Sequence, residues 1–229
     1  MLKLLLGRAG TGKTRALLEA MAAGDGRPQI LIVPEQHSHS MERQLCAIGG
    51  SRVSLFAEVL SFTRLANRVF SVYGGLAAPA LDGGGRLLLL CAALRSVAPE
   101  LRVYQRPSRK PAFLSGLLAT VDELKTCRIT PEQLWTAGEE SGGGEGDKLR
   151  DLSLIYGAYE AMTARQGADP RDRLTRLAEA LTREDWAAGK DFYLDAFTDF
   201  TPQERAVLST LLGKANSVTV ALTCDKLEE

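Results

Sequence analysis

The sequence predicts an α/β fold in which an all-helical subdomain is inserted into a parallel sheet. Short apolar runs alternate with helical patterns at both ends of the chain, and a glycine-rich loop follows the first run. The long middle section has helical periodicity without a convincing strand. Because strands and helices alternate, the strands are expected to be parallel and joined by right-handed crossovers.

The first part of the chain has the order strand, helix, strand, helix. Predicted strands cover 2–6, 29–33 and 53–59, and predicted helices begin at Lys13, near His37 and at Phe62. The helix that begins at Phe62 is expected to end near Tyr73, where the pattern changes.

Helical periodicity dominates from Gly83 to about Lys190. Predicted helices cover 86–97, 111–125 and 148–165, and the glycine-rich run 141–146 is interpreted as a flexible loop. The third helix carries an apolar stripe with three- or four-residue spacing, which is typical of a core face. Its members are Leu149, Leu152, Tyr156, Tyr159 and Met162.

Strand character returns at 192–194 and 218–222, with a predicted helix at 202–212 between them. The chain is therefore predicted to build one α/β domain from residues 1–82 and 190–229, with residues 83–189 as a helical insertion. Two contiguous domains are the simpler alternative, but they would leave the last two strands with too little sheet to pair with.

The loop after the first strand matches G-x-x-x-x-G-K-[ST], a pattern typical of phosphate-binding loops. Its residues are Gly7, Arg8, Ala9, Gly10, Thr11, Gly12, Lys13 and Thr14. The glycines permit a turn tight enough for successive N–H groups to face a phosphate. Lys13 would supply a charge for the β and γ phosphates of ATP, and Thr14 a hydroxyl ligand for Mg²⁺. A glycine-rich turn without a ligand is the alternative.

A phosphate loop of this kind needs an acid from another strand to hold Mg²⁺ and its waters. Asp195 follows the apolar run 192–194 and is predicted to fill this role, with a surface acid at a strand end as the alternative. Motor ATPases commonly have a Glu at the next position, whereas this chain has Ala196, so fast hydrolysis is not expected. Asp199 and Glu204 are possible substitutes, although Glu204 first of all fits a helix capping box with Thr201.

Composition limits the classes of function. The chain has 229 residues, 45% of them hydrophobic, with 28 Lys plus Arg and 28 Asp plus Glu, so any nucleic-acid contact must come from local patches. The four cysteines are widely spaced, which indicates reduced thiols and argues against a zinc or iron-sulfur site. With no signal peptide or membrane-spanning stretch in the sequence, we expect a soluble, cytoplasmic protein without a membrane partner.

Several segments occur in an order known from one family. They are 7–14, 33–36 with 41–43, 58–66, 148–152 with 155–156, and 195–198 with 200–204. Together they resemble the N-terminal region of the B subunit of AddAB/RexAB-type ATP-dependent helicase-nucleases. The resemblance covers nearly the whole chain, and 61–64 and 200–202 are its most specific parts.

The resemblance implies a superfamily 1 helicase-like first domain, a P-loop NTPase sheet of the type called 1A, with a helical insertion of the type called 1B. It also implies a heterodimer with a motor A subunit that processes double-strand DNA ends for recombination. In that family the B subunit's own helicase-like fold tends to serve strand binding and recognition. Ala196 in place of a Glu is consistent with that division of labour.

The same resemblance points to DNA contacts. Ser61, Phe62 and Thr63, followed by Arg64, match the segment that lies along single-stranded DNA, with hydroxyls for phosphate and a ring for base stacking. A core position is the competing interpretation of Phe62. Gln36 lies in a strand-end loop where DNA would pass. A basic cluster without acids is interpreted either as a further row of phosphate contacts or, equally well, as a solvated loop. It comprises Arg102, Arg106, Arg109 and Lys110.

Two further hypotheses remain open at this level. Phosphate loops also serve free-standing small-molecule kinases and nucleotidases, in which the helical insertion would act as a lid. A purely structural module would bind nucleotide only as a ligand that stabilises the fold.

Overall fold

The computed structural model describes residues 1–24, 26–77, 79–105 and 111–224. The chain divides into two compact units. The first, which we call the sheet unit, contains Met1–Gly75 and Leu174–Glu229 as far as they are described; the second, the helical unit, is Leu76–Arg173. These limits differ from the sequence-based ones at 82/83 and 189/190.

The described residues contain one sheet of five parallel strands. The strands are β1 (Leu2–Gly7), β2 (Gln29–Ile32), β3 (Ala57–Leu60), β4 (Asp191–Leu194) and β5 (Ser217–Thr223). They are ordered β1-β5-β4-β2-β3, so the first and last parts of the chain interleave in one sheet. This arrangement confirms the α/β class with a parallel sheet.

The helices follow the expected alternation in the sheet unit and form the helical unit by themselves. They are α1 (Lys13–Ala22), α2 (Ser38–Gly49), α3 (Phe62–Tyr73), α4 (Gly83–Val97), α5 (Pro111–Thr126), α6 (Pro131–Ser141), α7 (Gly143–Gln166), α8 (Arg173–Arg183) and α9 (Pro202–Lys214).

The two faces of the sheet are covered by different helices. On one face, α1 and α2 pack against buried side chains such as Leu31 and Val59. On the other, α3, α8 and α9 pack against Phe192, Leu194 and Val218. Each crossover toward the β3 edge uses the first face and each crossover toward the β1 edge uses the second, as a common right-handed connection requires.

Helix α8 accounts for the difference in the domain limits. The sequence-based division assigned it to the insertion, yet its apolar side belongs to the core of the sheet unit. Leu177 and Leu181 are fully buried there. A helical pattern identifies an apolar face but does not say which sheet or bundle that face meets.

Two local predictions from the sequence are wrong. Residues 53–55, expected as the start of the strand 53–59, belong to a 3-10 helix at Ser51–Leu55, in which Val53 is buried against the end of α2 at Gly49. The expected flexible loop 141–146 lies largely inside α7, which begins at Gly143. A Cβ on Gly146 would approach the Gly138 carbonyl oxygen to 2.4 Å, so glycine here permits close packing of α6 against α7.

The helical unit has its own core, formed by α4 to α7. Leu90, Val121, Ile155 and Tyr159 are buried at its centre. The predicted apolar stripe of α7 lies in or against this core, which confirms its interpretation as a packing face.

Candidate phosphate-loop site

The glycine loop, residues 7–14, connects β1 to α1. Gly10 and Gly12 have φ angles of 78° and 86°, in the left-handed region that favours glycine. A Cβ on Gly7 would lie 2.8 Å from the Thr11 hydroxyl oxygen. This turn therefore requires three glycines: Gly10 and Gly12 because of their backbone conformation, and Gly7 because a side chain there would clash with Thr11.

In this structure the loop is held by its own polar groups. The Lys13 ammonium donates to the carbonyl oxygens of Gly7 and Arg8 at 2.8 and 2.7 Å. The Thr11 hydroxyl also donates to the Arg8 carbonyl, at 2.8 Å. Lys13 is half-buried and therefore fixed near the loop, where an anion could exchange with these carbonyl contacts.

Asp195 follows β4 at the carboxyl end of the sheet and is only 5% exposed. Its Oδ1 accepts a hydrogen bond from the Ala196 amide at 2.8 Å, while its buried Oδ2 has no hydrogen-bond partner among the described residues. Ala196 has a φ of 65°, which is unusual for a residue other than glycine. A buried unpaired carboxylate oxygen next to such backbone is typical of a functional site.

The sheet brings the glycine loop and Asp195 to the same edge. β5 alone separates β1 from β4, so the two strands lie about 10 Å apart, at two strand spacings. Along the strands β1 ends farther out, because Gly7 is level with Thr223 of β5 whereas Leu194 is level with Val220. Magnesium is held by one or two protein oxygens together with waters and phosphate oxygens. The Thr14 hydroxyl and the unpaired Asp195 oxygen are of the right chemistry for that ion, so the residues fit Mg²⁺ bound with a nucleotide.

The two acids considered as substitutes for the missing Glu have other partners. Glu204 accepts from the amide and hydroxyl of Thr201 at 2.8 and 3.0 Å, completing the predicted capping box of α9. Asp199 is exposed and accepts from the Phe200 amide at 2.7 Å. The capping interpretation of Glu204 is confirmed.

The segment matched to single-stranded DNA contains two buried and two exposed residues. Ser61 caps α3 by accepting from the Arg64 amide at 3.2 Å, and its hydroxyl donates to the Glu35 carboxylate. Phe62 is 5% exposed and lies in the core, with its ring centre 5.6 Å from that of Phe197. Burial thus supports the core interpretation of Phe62. Thr63 and Arg64 are exposed on the first turn of α3.

Gln36 is exposed in the 3-10 turn after β2, and the exposed Arg64 follows the neighbouring strand β3. These residues therefore share the carboxyl edge of the sheet with the glycine loop. Sequence reasoning missed Glu35, whose contact with Ser61 joins the two strand ends. The signal that could have identified Glu35 is the pairing of β2 with β3, because it places the residues that follow the two strands side by side.

The basic cluster lies in the helical unit and is described only in part. The Arg102 guanidinium donates to Asp147 at 2.6 Å, and the amides of Arg102, Val103 and Tyr104 all donate to the buried Asp151 carboxylate. Arg106, Arg109 and Lys110 lie outside the described residues. Asp151 therefore orders the start of this segment without a ligand.

The helical unit also contains a group of buried and half-buried ionisable side chains, which we call the Lys125 cluster. It consists of Arg86, Asp122, Lys125, Tyr159, Glu160, Asp169 and Asp172. Burial raises the pKa of Glu160 and of Asp172, against the opposing effect of Lys125. Burial alone would lower the pKa of Lys125, but its hydrogen bonds to those acids outweigh burial and raise it. Because its charges are paired with one another, the cluster has the character of a structural network.

A family model described as ADDB, N-terminal, matches residues 4–229. The chain belongs to this family. A protein of Desulforudis audaxviator (strain MP104C), named as the B subunit of an ATP-dependent helicase/deoxyribonuclease, is 41% identical over 234 residues, covering 98% of this chain and 20% of its own length. A protein of Thermoanaerobacter sp. (strain X514) with the same name is 38% identical over 229 residues, with the same coverage.

The chain thus spans about a fifth of the length of these curated relatives. Family membership confirms the resemblance found in the sequence and does not favour the kinase or nucleotidase alternative. None of the helices in the described part of the chain is long and apolar enough to cross a bilayer.

Proposed function

We propose that this chain is the ATP-binding, DNA-contacting module of an ATP-dependent helicase/deoxyribonuclease B subunit that acts on double-strand DNA ends in recombinational repair. In this proposal the sheet unit is a P-loop NTPase domain of the 1A type and the helical unit corresponds to a 1B insertion. A helicase-nuclease A subunit is the proposed partner in a heterodimer. The names of the curated relatives support this assignment.

The observation that carries the proposal is the buried Oδ2 of Asp195, unpaired within the described part of the chain, at the sheet edge that also bears the glycine loop. We assign Lys13 to the β and γ phosphates of ATP. Thr14 and Asp195 are assigned to Mg²⁺, directly or through its waters. The ion would neutralise phosphate charge, while the loop amides and Lys13 orient the triphosphate.

ATP binding without rapid turnover is the mode that the residues favour. Ala196 cannot activate water, and both Asp199 and Glu204 already accept hydrogen bonds from nearby backbone amides. We therefore assign the module to binding and recognising a strand, with the pulling force supplied by the A subunit.

For the DNA face we propose Gln36, Thr63 and Arg64 as contacts in the sheet unit. All three are exposed at the carboxyl edge, with a hydroxyl and a guanidinium suited to phosphate. Ser61 and Phe62 would position these contacts without touching DNA: Ser61 caps α3, and Phe62 packs in the core beneath that helix. Arg102 and the basic residues that follow it remain proposed phosphate contacts of the helical unit.

Thermal unfolding with Mg²⁺-ATP tests the nucleotide site. Nucleotide at about 100 times its Kd would stabilise the wild-type protein by about 2.7 kcal/mol. We expect Lys13→Ala to lose this stabilisation, whereas Lys3→Ala, at an exposed lysine of β1, retains it. No shift in the wild-type protein, or equal shifts in both variants, would contradict an ATP site.

A salt series with single-stranded DNA tests the DNA face. Each lost phosphate contact reduces the slope of log affinity against log salt by about 0.7. We expect this reduction for Arg64→Ala but not for Arg205→Ala, an exposed arginine on α9. Binding that does not depend on salt, or that is equally weakened by both changes, argues against the assigned face.

A further inference from the structure

The Lys125 cluster of the helical unit contains more carboxylates than cations. Its carboxylates are Asp122, Glu160, Asp169 and Asp172. Its two cations are Arg86 and Lys125, and the more exposed Arg171 adds a third through Asp122, at 3.0 Å. The described residues of the cluster therefore have one carboxylate in excess. Because an uncompensated buried charge is unfavourable, a carboxylate in such surroundings favours binding a proton.

A single ammonium group, that of Lys125, is shared by three of these carboxylates. It donates to both oxygens of Asp172, at 2.7 and 2.8 Å, and to Glu160, and it lies 3.6 Å from an oxygen of Asp169. The Lys125 side chain is only 1% exposed, so water screens the charges around it weakly. Arg86 is likewise shared between two acids. The carboxylates around Lys125 therefore compete for one positive charge.

Glu160 is the carboxylate best placed to take up the proton. Its side chain is 38% exposed, so a proton can reach it from solvent, whereas the Asp169 side chain is fully buried. Asp169 accepts hydrogen bonds from a tyrosine hydroxyl and a backbone amide, and both oxygens of Asp172 accept from Lys125. Such hydrogen bonds favour the charged form of each aspartate. Glutamate is also the weaker acid, with an ordinary pKa of about 4.3 against about 3.9 for aspartate.

The electrostatic surroundings of Glu160 agree with this assignment. Burial raises the pKa of Glu160; Lys125 opposes this effect, and the charges of Asp172 and Asp169 add to it. Burial raises the pKa of Asp172 as well, so the two acids on Lys125 compete for the same proton. The charged and titratable groups near Glu160 come from all four helices of the helical core and from the segment after α7. They are Arg86 of α4, Asp122 and Lys125 of α5, Glu132 of α6, Tyr156 and Tyr159 of α7, and Asp169, Arg171 and Asp172 of that segment.

We propose that Glu160 is a proton-binding site and that its proton controls how firmly the Lys125 cluster holds residues 169–172. When Glu160 is charged, it competes with Asp172 for the ammonium of Lys125. When Glu160 is protonated, Lys125 is left to Asp172 and Asp169, and the remaining charges of the cluster and its bound arginine balance. Residues 169–172 are thus held more firmly in the protonated state. This inference does not depend on whether the chain binds ATP or DNA.

Proton binding at Glu160 links the stability of the helical unit to pH. Because the pKa of Glu160 is raised in the folded chain, the folded chain keeps this proton at pH values above the ordinary glutamate pKa of about 4.3. The stability that the proton contributes is complete below that value and is lost as the pH rises through the pKa of the folded chain. A stabilising ion pair between Glu160 and Lys125 would have the opposite sign, because it requires the charged carboxylate.

Urea unfolding of the 229-residue chain, followed through Trp135 of the helical unit, separates the two cases. Glu160→Gln removes the charge but keeps an oxygen that can accept from Lys125, so it represents the protonated form. We expect this variant to have a higher urea midpoint than the wild-type protein at pH 7, and the two midpoints to converge as the pH falls to about 4. Glu139→Gln, at an exposed glutamate of α6, is the control for loss of one negative charge. An equal or lower midpoint for Glu160→Gln at pH 7, or the same increase for Glu139→Gln, would overturn the proposal.

Carbon-13 NMR titration of the side-chain carboxyl groups observes the proton directly. The Glu160 signal, assigned as the one that is lost in Glu160→Gln, is expected to titrate with a pKa above the ordinary value of about 4.3. In Asp172→Asn the pKa of Glu160 is expected to fall, because Lys125 then has one competing carboxylate fewer. A wild-type pKa at or below the ordinary value, or a pKa that Asp172→Asn leaves unchanged, would overturn the proposal. The wild-type titration decides it if Asp172→Asn fails to fold.

Discussion

Two aspartates, one in each unit, are almost equally buried and have opposite surroundings. Asp169 of the helical unit is 3% exposed and Asp195 of the sheet unit 5%. Asp169 accepts from Tyr159 at 2.8 Å and from the Arg171 amide at 2.9 Å, and it pairs with Arg86 at 3.0 Å. Among the described residues, the Asp195 carboxylate has one hydrogen bond, from the next residue, and one unpaired oxygen.

This difference distinguishes a structural charge from a functional one. A buried charge that is fully paired holds elements together, and removal of one partner leaves the others uncompensated. A buried carboxylate with an unpaired oxygen costs the fold stability, and that oxygen is available to a cation. The degree of burial alone does not separate the two cases.

The largest expected effect is a contrast between matched substitutions. Asp169→Asn should destabilise the helical unit by about 3–5 kcal/mol, because Arg86 loses a buried counter-charge. Asp195→Asn should leave stability without nucleotide unchanged or raise it, because it removes a buried charge that lacks a partner. Urea unfolding measures both, since Trp135 and Trp186 are the only tryptophans and report on different units. Equal losses from the two substitutions would remove the distinction drawn here.

Glycine packing in the helical unit gives a smaller effect. Gly146→Ala should cost about 1–3 kcal/mol, because its Cβ would lie 2.4 Å from the Gly138 carbonyl oxygen. Gly144→Ala is the control, as a Cβ there has no neighbour within 4 Å and alanine favours a helix. Unfolding followed through Trp135 compares the two variants. If Gly146→Ala is as stable as Gly144→Ala, the close packing of α6 and α7 is not required.

Raising the pH into the alkaline range should change the stability of the two units in opposite directions. Burial raises the pKa of Tyr156 and of Tyr159, and the hydrogen bonds that Lys125 donates to acids outweigh its burial and raise its pKa. These groups release protons at lower pH when unfolded than when folded, so the helical unit should lose stability above about pH 10. In the sheet unit burial lowers the pKa of Lys190, so deprotonation of this group favours the folded state as pH rises.

Unfolding midpoints from pH 8 to 11, followed separately through Trp135 and Trp186, measure this difference. The Trp135 midpoint should fall earlier than the Trp186 midpoint. A parallel decline of both signals would mean that these groups do not control alkaline stability.

The smallest expected effect concerns exposed ion pairs, which should behave alike in both units. Arg102 pairs with Asp147 in the helical unit at 2.6 Å, and Arg15 pairs with Glu19 in the sheet unit at 2.7 Å. Because both arginines are largely exposed, alanine at either position should leave the unfolding midpoint within error at ordinary salt. A measurable loss at one of them would show that the contrast between units extends to the surface.

Much of the fold could be predicted because its patterns are local. The apolar runs at 192–194 and 218–222 indicated strands, and the capping boxes at Thr130 and Thr201 marked helix starts that the structure has. Membership of α8 in the sheet unit and the helical state of residues 143–146 were missed. The position of α8 depends on its contact with strands that are distant in the sequence. The helical state of 143–146 depends on the close contact of Gly146 with Gly138 in the neighbouring helix α6.

For the candidate site, the sequence by itself determined the loop chemistry, because a phosphate loop is one contiguous segment whose glycines, lysine and hydroxyl act through local backbone geometry. It also determined the alternation that leads to a parallel sheet. Only the tertiary structure decided, for the residues it describes, that Asp195 keeps an unpaired oxygen while Asp169 has none, that Phe62 lies in the core, and that β1 is an open edge. These properties depend on which distant residues pack around a group, and a linear pattern does not contain that information.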